Sequence, residues 1–144
     1  MLQNDLQETL FTEEQILRRI QELAREIEKN YKGKNLVLVS ILKGGVVFLA
    51  DLTREVRIPH AYDLVGASSY GAQIYSTGQV IITKDVTVPL KGKHVLLIED
   101  IYDSGTTLKV VKDLLDVHSP ASVEICALFF FFKQKTAYEI PIKY

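Results

Sequence analysis

Cysteine is nearly missing from this chain of 144 residues: Cys126 stands alone, so no internal disulfide can form. A crosslinked secreted scaffold is thereby excluded, and a reducing, cytoplasmic compartment is the expectation. Long apolar runs are missing too. Met1-Leu2-Gln3-Asn4-Asp5 lacks the basic and apolar regions of a secretory leader, so no membrane partner is expected. Neither sign of charge dominates, with 17 Lys+Arg against 18 Asp+Glu. That balance argues against the basic footprint of a nucleic-acid binder. His60, His94 and His118 have no metal-ligand spacing. What the chain does hold is 47% hydrophobic residues, enough for one domain with a single sizeable core.

The order of elements follows from periodicity. Thr12-Glu13-Glu14-Gln15 fits a capping box, with Phe11 and Ile16 placed for a hydrophobic staple. Ile16, Leu17, Ile20, Leu23, Ala24 and Ile27 follow at helical spacing, and Asn30 to Gly33 ends the helix. Leu36 to Leu42 (LVLVSIL) has the continuous aliphatic character of a strand covered on both faces. Lys43-Gly44-Gly45 interrupts it before a helix over Val46 to Val56. Tyr62 to Ser69 and Val80 to Val86 read as strands of a hairpin, and the turn formers of SYGAQIYSTGQ between them as a mobile loop. Val95 to Ile98 is a further buried strand, Thr106 to Val117 a helix, and Val123 to Leu128 a last strand. Cys126 within it reads as a small buried hydrophobe. The fold class is α/β, a mainly parallel central sheet flanked by helices, with a flexible lid hairpin. Such sheets bind ligands beyond the carboxyl ends of their strands, where both Lys43-Gly44-Gly45 and the acids after Ile98 fall.

The stretch VLLIEDIYDSGTTLKVV carries the chemistry. Adjacent carboxylates at a strand end, Glu99 and Asp100, can accept hydrogen bonds from the vicinal hydroxyls of a ribose or help hold a hydrated Mg²⁺. Asp103 follows where it could face a reacting base and handle a proton. Ser104, Gly105, Thr106 and Thr107 then open a helix, offering backbone amides and hydroxyls that suit a phosphate. A diol, a metal and a phosphate together describe a phosphorylated ribose. Simple capping by Asp103 and Ser104 with a solvated acidic strand end is the plainer reading. The long ordered run of acids, spacer, acid and small hydroxyl residues weighs against it.

This stretch resembles the phosphoribosyl pyrophosphate signature of the type I phosphoribosyltransferases. Ser40 to Gly45 (SILKGG) is similar to the pyrophosphate loop of their hypoxanthine-guanine branch, and Ser68 to Gly71 with Ser76-Thr77-Gly78 to its flexible lid. The resemblance implies purine salvage: transfer of the 5-phosphoribosyl group from phosphoribosyl pyrophosphate to a 6-oxopurine such as hypoxanthine or guanine. It implies that Glu99 and Asp100 bind the ribose hydroxyls and help place Mg²⁺, and that Asp103 is the catalytic acid/base. Ser104, Gly105, Thr106 and Thr107 would hold the 5′-phosphate. Lys43 and Gly44 would contact pyrophosphate after a cis peptide, and Ser69 and Tyr70 would close over the reacting centre. A homodimer or homotetramer is implied as well. A non-enzymatic sensor of phosphoribosyl pyrophosphate is the alternative, since such regulators share the signature.

The pattern changes after Leu128, where the chain reads FFFFKQKTAYEIPIKY. The family's purine-contacting lysine would fall on Phe131, and neither its stacking aromatic nor its late aspartate has a counterpart. The expected division is therefore a phosphoribosyltransferase domain over 1–128 and an atypical tail over 129–144 replacing the purine-binding hood. A truncated or foreign end and doubtful activity for this chain are the corresponding expectations.

Overall fold

A computed structural model describes residues 11–69, 80–102 and 105–130. Thr12 caps the first helix, α1 (Glu13–Tyr31), through the expected reciprocal pair. The Thr12 hydroxyl accepts from the Gln15 amide at 3.1 Å, and Gln15 Oε1 accepts from the Thr12 amide at 2.9 Å. Ile20, Leu23, Ala24, Ile27 and Tyr31 form the buried stripe, whereas Leu17 falls outside it at 47% exposure. Phe11 stacks on Phe129, ring centroids 4.5 Å apart, so the helix entrance is pinned to the far end of the chain.

The remaining elements are β1 (Leu36–Leu42), α2 (Val46–Glu55), β2 (His60–Ser69), β3 (Val80–Lys84), β4 (His94–Tyr102), α3 (Thr106–Asp116) and β5 (Ser122–Phe130). The strands form one sheet in the order β3-β2-β1-β4-β5. Among the described strands only the β2–β3 pair is antiparallel. Alternation along β1 sends Leu36 and Leu38 to the face covered by α1 and α2, with Ile20, Leu23, Phe48 and Leu52. Val37, Val39 and Ile41 go to the face covered by α3, with Leu108, Val111 and Leu115. The central strands β1 and β4 are thus buried on both sides, as their aliphatic runs require, whereas the edge strand β3 is largely exposed.

Among the described residues Asp63 is the one buried carboxylate. It accepts from the amides of Leu64, Thr87 and Val88 at 2.7–2.9 Å and faces Lys84 Nζ at 3.5 Å. Burial alone would raise its pKa, but the three amides and the lysine outweigh burial and lower it. It ties the 85–88 turn to β2.

Several boundaries differ from the sequence reading: β2 starts at His60 rather than Tyr62, β3 ends at Lys84 rather than Val86, and two further differences bear on the site. β4 does not stop at Ile98 but runs through Glu99, Asp100 and Ile101 to Tyr102. β5 likewise continues past Leu128, and the extension is mutual: Ile101 pairs with Phe129 and Tyr102 with Phe130. Acids are poor strand formers, yet here a neighbouring strand supplies the missing hydrogen bonds. Of the predicted lid, Ser68 and Ser69 belong to β2, whereas Tyr70 and the rest lie outside the described residues, as do Asp103, Ser104 and the tail from 131 onward.

Candidate functional site

Topology sets the location. From β1 the chain crosses through α2 to β2 on one side, and from β4 through α3 to β5 on the other. The two central strands therefore send their crossovers in opposite directions, which opens a crevice between their carboxyl ends. Pairing of β1 with β4 ends at Ser40–Ile98, whereas β4 continues in register with β5 alone. Glu99 and Asp100 occupy the first positions past that parting.

On the β1 side, the Leu42–Lys43 peptide is cis, as the resemblance implied. Lys43 and Gly44 are exposed, and Gly45 is buried. Gly45 is the N-cap of α2; it brings no side-chain cap, and the first turn holds no acid. The helix N-terminus is thus left to attract an anion. Ser40, fully buried in β1, donates its hydroxyl proton to the Ile98 carbonyl at 3.0 Å.

On the β4 side, Gly105 takes φ +75° and caps α3 without a side chain, and its first turn also lacks an acid. A Cβ at Gly105 would lie 2.8 Å from the Tyr102 hydroxyl. Glycine is therefore required there both by conformation and by space. Thr106 is exposed and Thr107 half-buried at this helix start. Ser69 ends β2, the strand beside β1.

The acids share little with cations. Glu99 Oε1 accepts from the Asp100 amide at 3.1 Å, and Asp100 Oδ1 from the Ile101 amide at 2.8 Å. Burial, followed by hydrogen bonding to Asp100 and repulsion from its charge, pushes the Glu99 carboxyl up to about 8. Among the described residues no group of three or more His, Cys, Asp and Glu is placed to hold a metal. Glu99 and Asp100 are the pair at the crevice able to offer oxygen ligands. Asp100 and Gly44 also line a pocket of about 200 Å³, with Ile16, Val47, Phe48, Asp51, Ile101 and Phe129 among its walls. The structure thus joins Gly44 of the Lys43-Gly44-Gly45 turn with Asp100 of the acidic pair, while Thr106 and Thr107 are not part of that lining.

Three participants had no role of their own in the sequence reading. Asp51 faces the pocket from α2, Tyr102 walls Gly105, and Ser40 joins the two central strands. Only Ser40 left a trace, a lone hydroxyl inside LVLVSIL.

The model of the phosphoribosyl transferase domain family matches residues 7–144. The chain belongs to the phosphoribosyltransferase family. Hypoxanthine phosphoribosyltransferase of Salmonella typhimurium is 46% identical over 123 residues, covering 84% of this chain and 69% of that relative. Hypoxanthine-guanine phosphoribosyltransferase of Dictyostelium discoideum is 43% identical over 141 residues, covering 95% and 78%. A solved hypoxanthine phosphoribosyltransferase from Staphylococcus aureus matches with a TM-score of 0.84 at 39% identity, over 95% of this chain and 77% of that one. Phosphoribosyltransferase membership accounts for the mixed α/β sheet and for the two loops meeting at its centre. The relatives are purine-salvage enzymes, and none of them favours the sensor alternative. No helix among the described residues is long and apolar enough to cross a membrane.

Proposed function

We propose that this phosphoribosyltransferase acts in purine salvage, joining phosphoribosyl pyrophosphate to hypoxanthine or guanine. The observation that carries this reading is the crevice between β1 and β4. Two helix N-termini without side-chain caps flank it, and a carboxylate pair stands between them. Each feature suits one part of the donor: α3 the 5′-phosphate, Glu99 and Asp100 the ribose hydroxyls, and the Lys43-Gly44 turn the pyrophosphate.

In the reaction the bond from the anomeric carbon to pyrophosphate oxygen breaks, and the leaving group departs with the electron pair. A purine ring nitrogen forms the new bond to that carbon. Asp103 is the group we assign to the proton on the neighbouring ring nitrogen. Ser69 and Tyr70 are proposed to exclude water from the cationic sugar. An oxygen-only donor pair suits a hard divalent cation, whose binding would have to displace the proton that Glu99 retains up to about 8. Mg²⁺ bound there would neutralise charge on the donor, and Glu99 and Asp100 would hold it. Residues 1–128 carry the phosphoribosyl half in this proposal, and 129–144 stand where the purine contacts belong. A homodimer or homotetramer in the cytoplasm is the proposed setting.

Calorimetric titration with phosphoribosyl pyrophosphate and Mg²⁺, followed by turnover with hypoxanthine, tests the reading. Saturable heat and release of pyrophosphate are expected. A titration without heat would remove the donor site.

A further inference from the structure

Ser40 and Gly45 occupy one small volume at the point where β1, β4 and α2 meet. Ser40 is fully buried, with its hydroxyl on the Ile98 carbonyl at 3.0 Å. An ideal Cβ built on Gly45 falls 2.0 Å from Ser40 Oγ, but 3.4 Å from both Ser40 Cβ and the Ile98 carbonyl oxygen. The first distance is impossible for two heavy atoms, and the other two are ordinary contacts. Gly45 also donates its amide to the Ile41 carbonyl at 3.2 Å, closing the Lys43-Gly44 turn on β1. One hydroxyl therefore bonds to the strand that carries Glu99 and at the same time forbids a side chain on the residue closing the neighbouring loop.

We propose that Ser40 and Gly45 are a coupled positioning pair that sets the height of the Lys43-Gly44 turn relative to Glu99. Neither touches ligand in this scheme; both act through the turn and the strand end. The pair rests on the proposed donor site for its functional readout. It predicts a particular pattern of non-additivity, because the obstacle to a side chain at position 45 is the Ser40 oxygen rather than the backbone. Gly45→Ala must push the turn outward, and a shift of that kind can cost a large factor in binding. Removing the oxygen with Ser40→Ala makes room for the new methyl group.

The experiment compares Ser40→Ala, Gly45→Ala and the double variant by titration with inorganic pyrophosphate in the presence of Mg²⁺, and separately with ribose 5-phosphate. Thermal unfolding is recorded for each. Gly45→Ala should weaken pyrophosphate at least about tenfold and ribose 5-phosphate hardly at all, since α3 holds the latter. The double variant should return to within about threefold of Ser40→Ala. Additive losses would overturn the coupling, and equal weakening of both ligands would reduce the pair to ordinary core residues. Should the unaltered protein bind neither ligand, the donor-site reading fails, yet the unfolding temperatures still decide the coupling. A double variant no more stable than Gly45→Ala would end it.

Discussion

The β1–α2 turn and the β4–α3 turn lie side by side at one end of the sheet, and they hold their glycines for opposite reasons. Gly45 has an ordinary right-handed backbone, and only the Ser40 oxygen keeps a side chain out. Gly105 has a left-handed backbone, and the Tyr102 ring closes the remaining space. The first turn is anchored beneath, in strands paired on both edges. The second stands on a stretch of β4 that has only β5 beside it. In the proposed donor site, packing therefore secures one turn and backbone conformation the other.

The largest expected effect separates chemistry from grip. Asp103→Asn should lower turnover on the order of a hundredfold or more while donor affinity changes little. Unaltered turnover would take the proton-handling role from the β4 side. Next comes Gly105→Ala, which should cost about 2 kcal/mol by forcing a methyl group into positive φ against Tyr102. Chemical denaturation measures it, and ribose 5-phosphate should weaken more than pyrophosphate. An equal loss for both ligands would erase the contrast between the turns.

Glu99→Gln sharpens the comparison through pH. The Glu99 carboxyl is raised to about 8, so the folded state holds a proton that the unfolded state has already released. Stability should fall as pH rises from the ordinary carboxylate range to about 8, and be indifferent to this group below that range. The variant should accordingly be more stable than the parent by about 1 kcal/mol at pH 8 and above, while binding the ribose less well. Equal stability at all pH values would contradict the buried-acid picture. The smallest effect is expected from Lys43→Ala: stability within about 0.5 kcal/mol of the parent, because the side chain is exposed, and selectively weaker pyrophosphate. Loss of stability there would mean that the β1 turn is held from outside as well as beneath.

Much of this was readable beforehand, for physical reasons. The α1 capping box and the limits of β1 follow from short-range rules, and they appear at the expected residues. The length of β4 does not. Glu99 and Asp100 look like the end of a strand because charge is costly inside a sheet, and only the pairing of Glu99 with Ala127 and of Ile101 and Tyr102 with Phe129 and Phe130 reveals otherwise. Nor does any local rule pair Phe11 with Phe129, since their stacking joins the entrance of α1 to the end of β5. The cis peptide before Lys43 came from the likeness to a family, not from any local preference. Ser40 was visible but mute, since its partners are a carbonyl on another strand and an atom that Gly45 lacks.

The one-sided support of Glu99 and Asp100 also bears on synthesis at the ribosome. A nascent chain that has emerged only through α3 possesses both acids and both glycine turns, but not the strand that fixes the acids in register. Competence to grasp the sugar should then arrive late and abruptly, when the segment from Ser122 to Phe130 clears the exit tunnel.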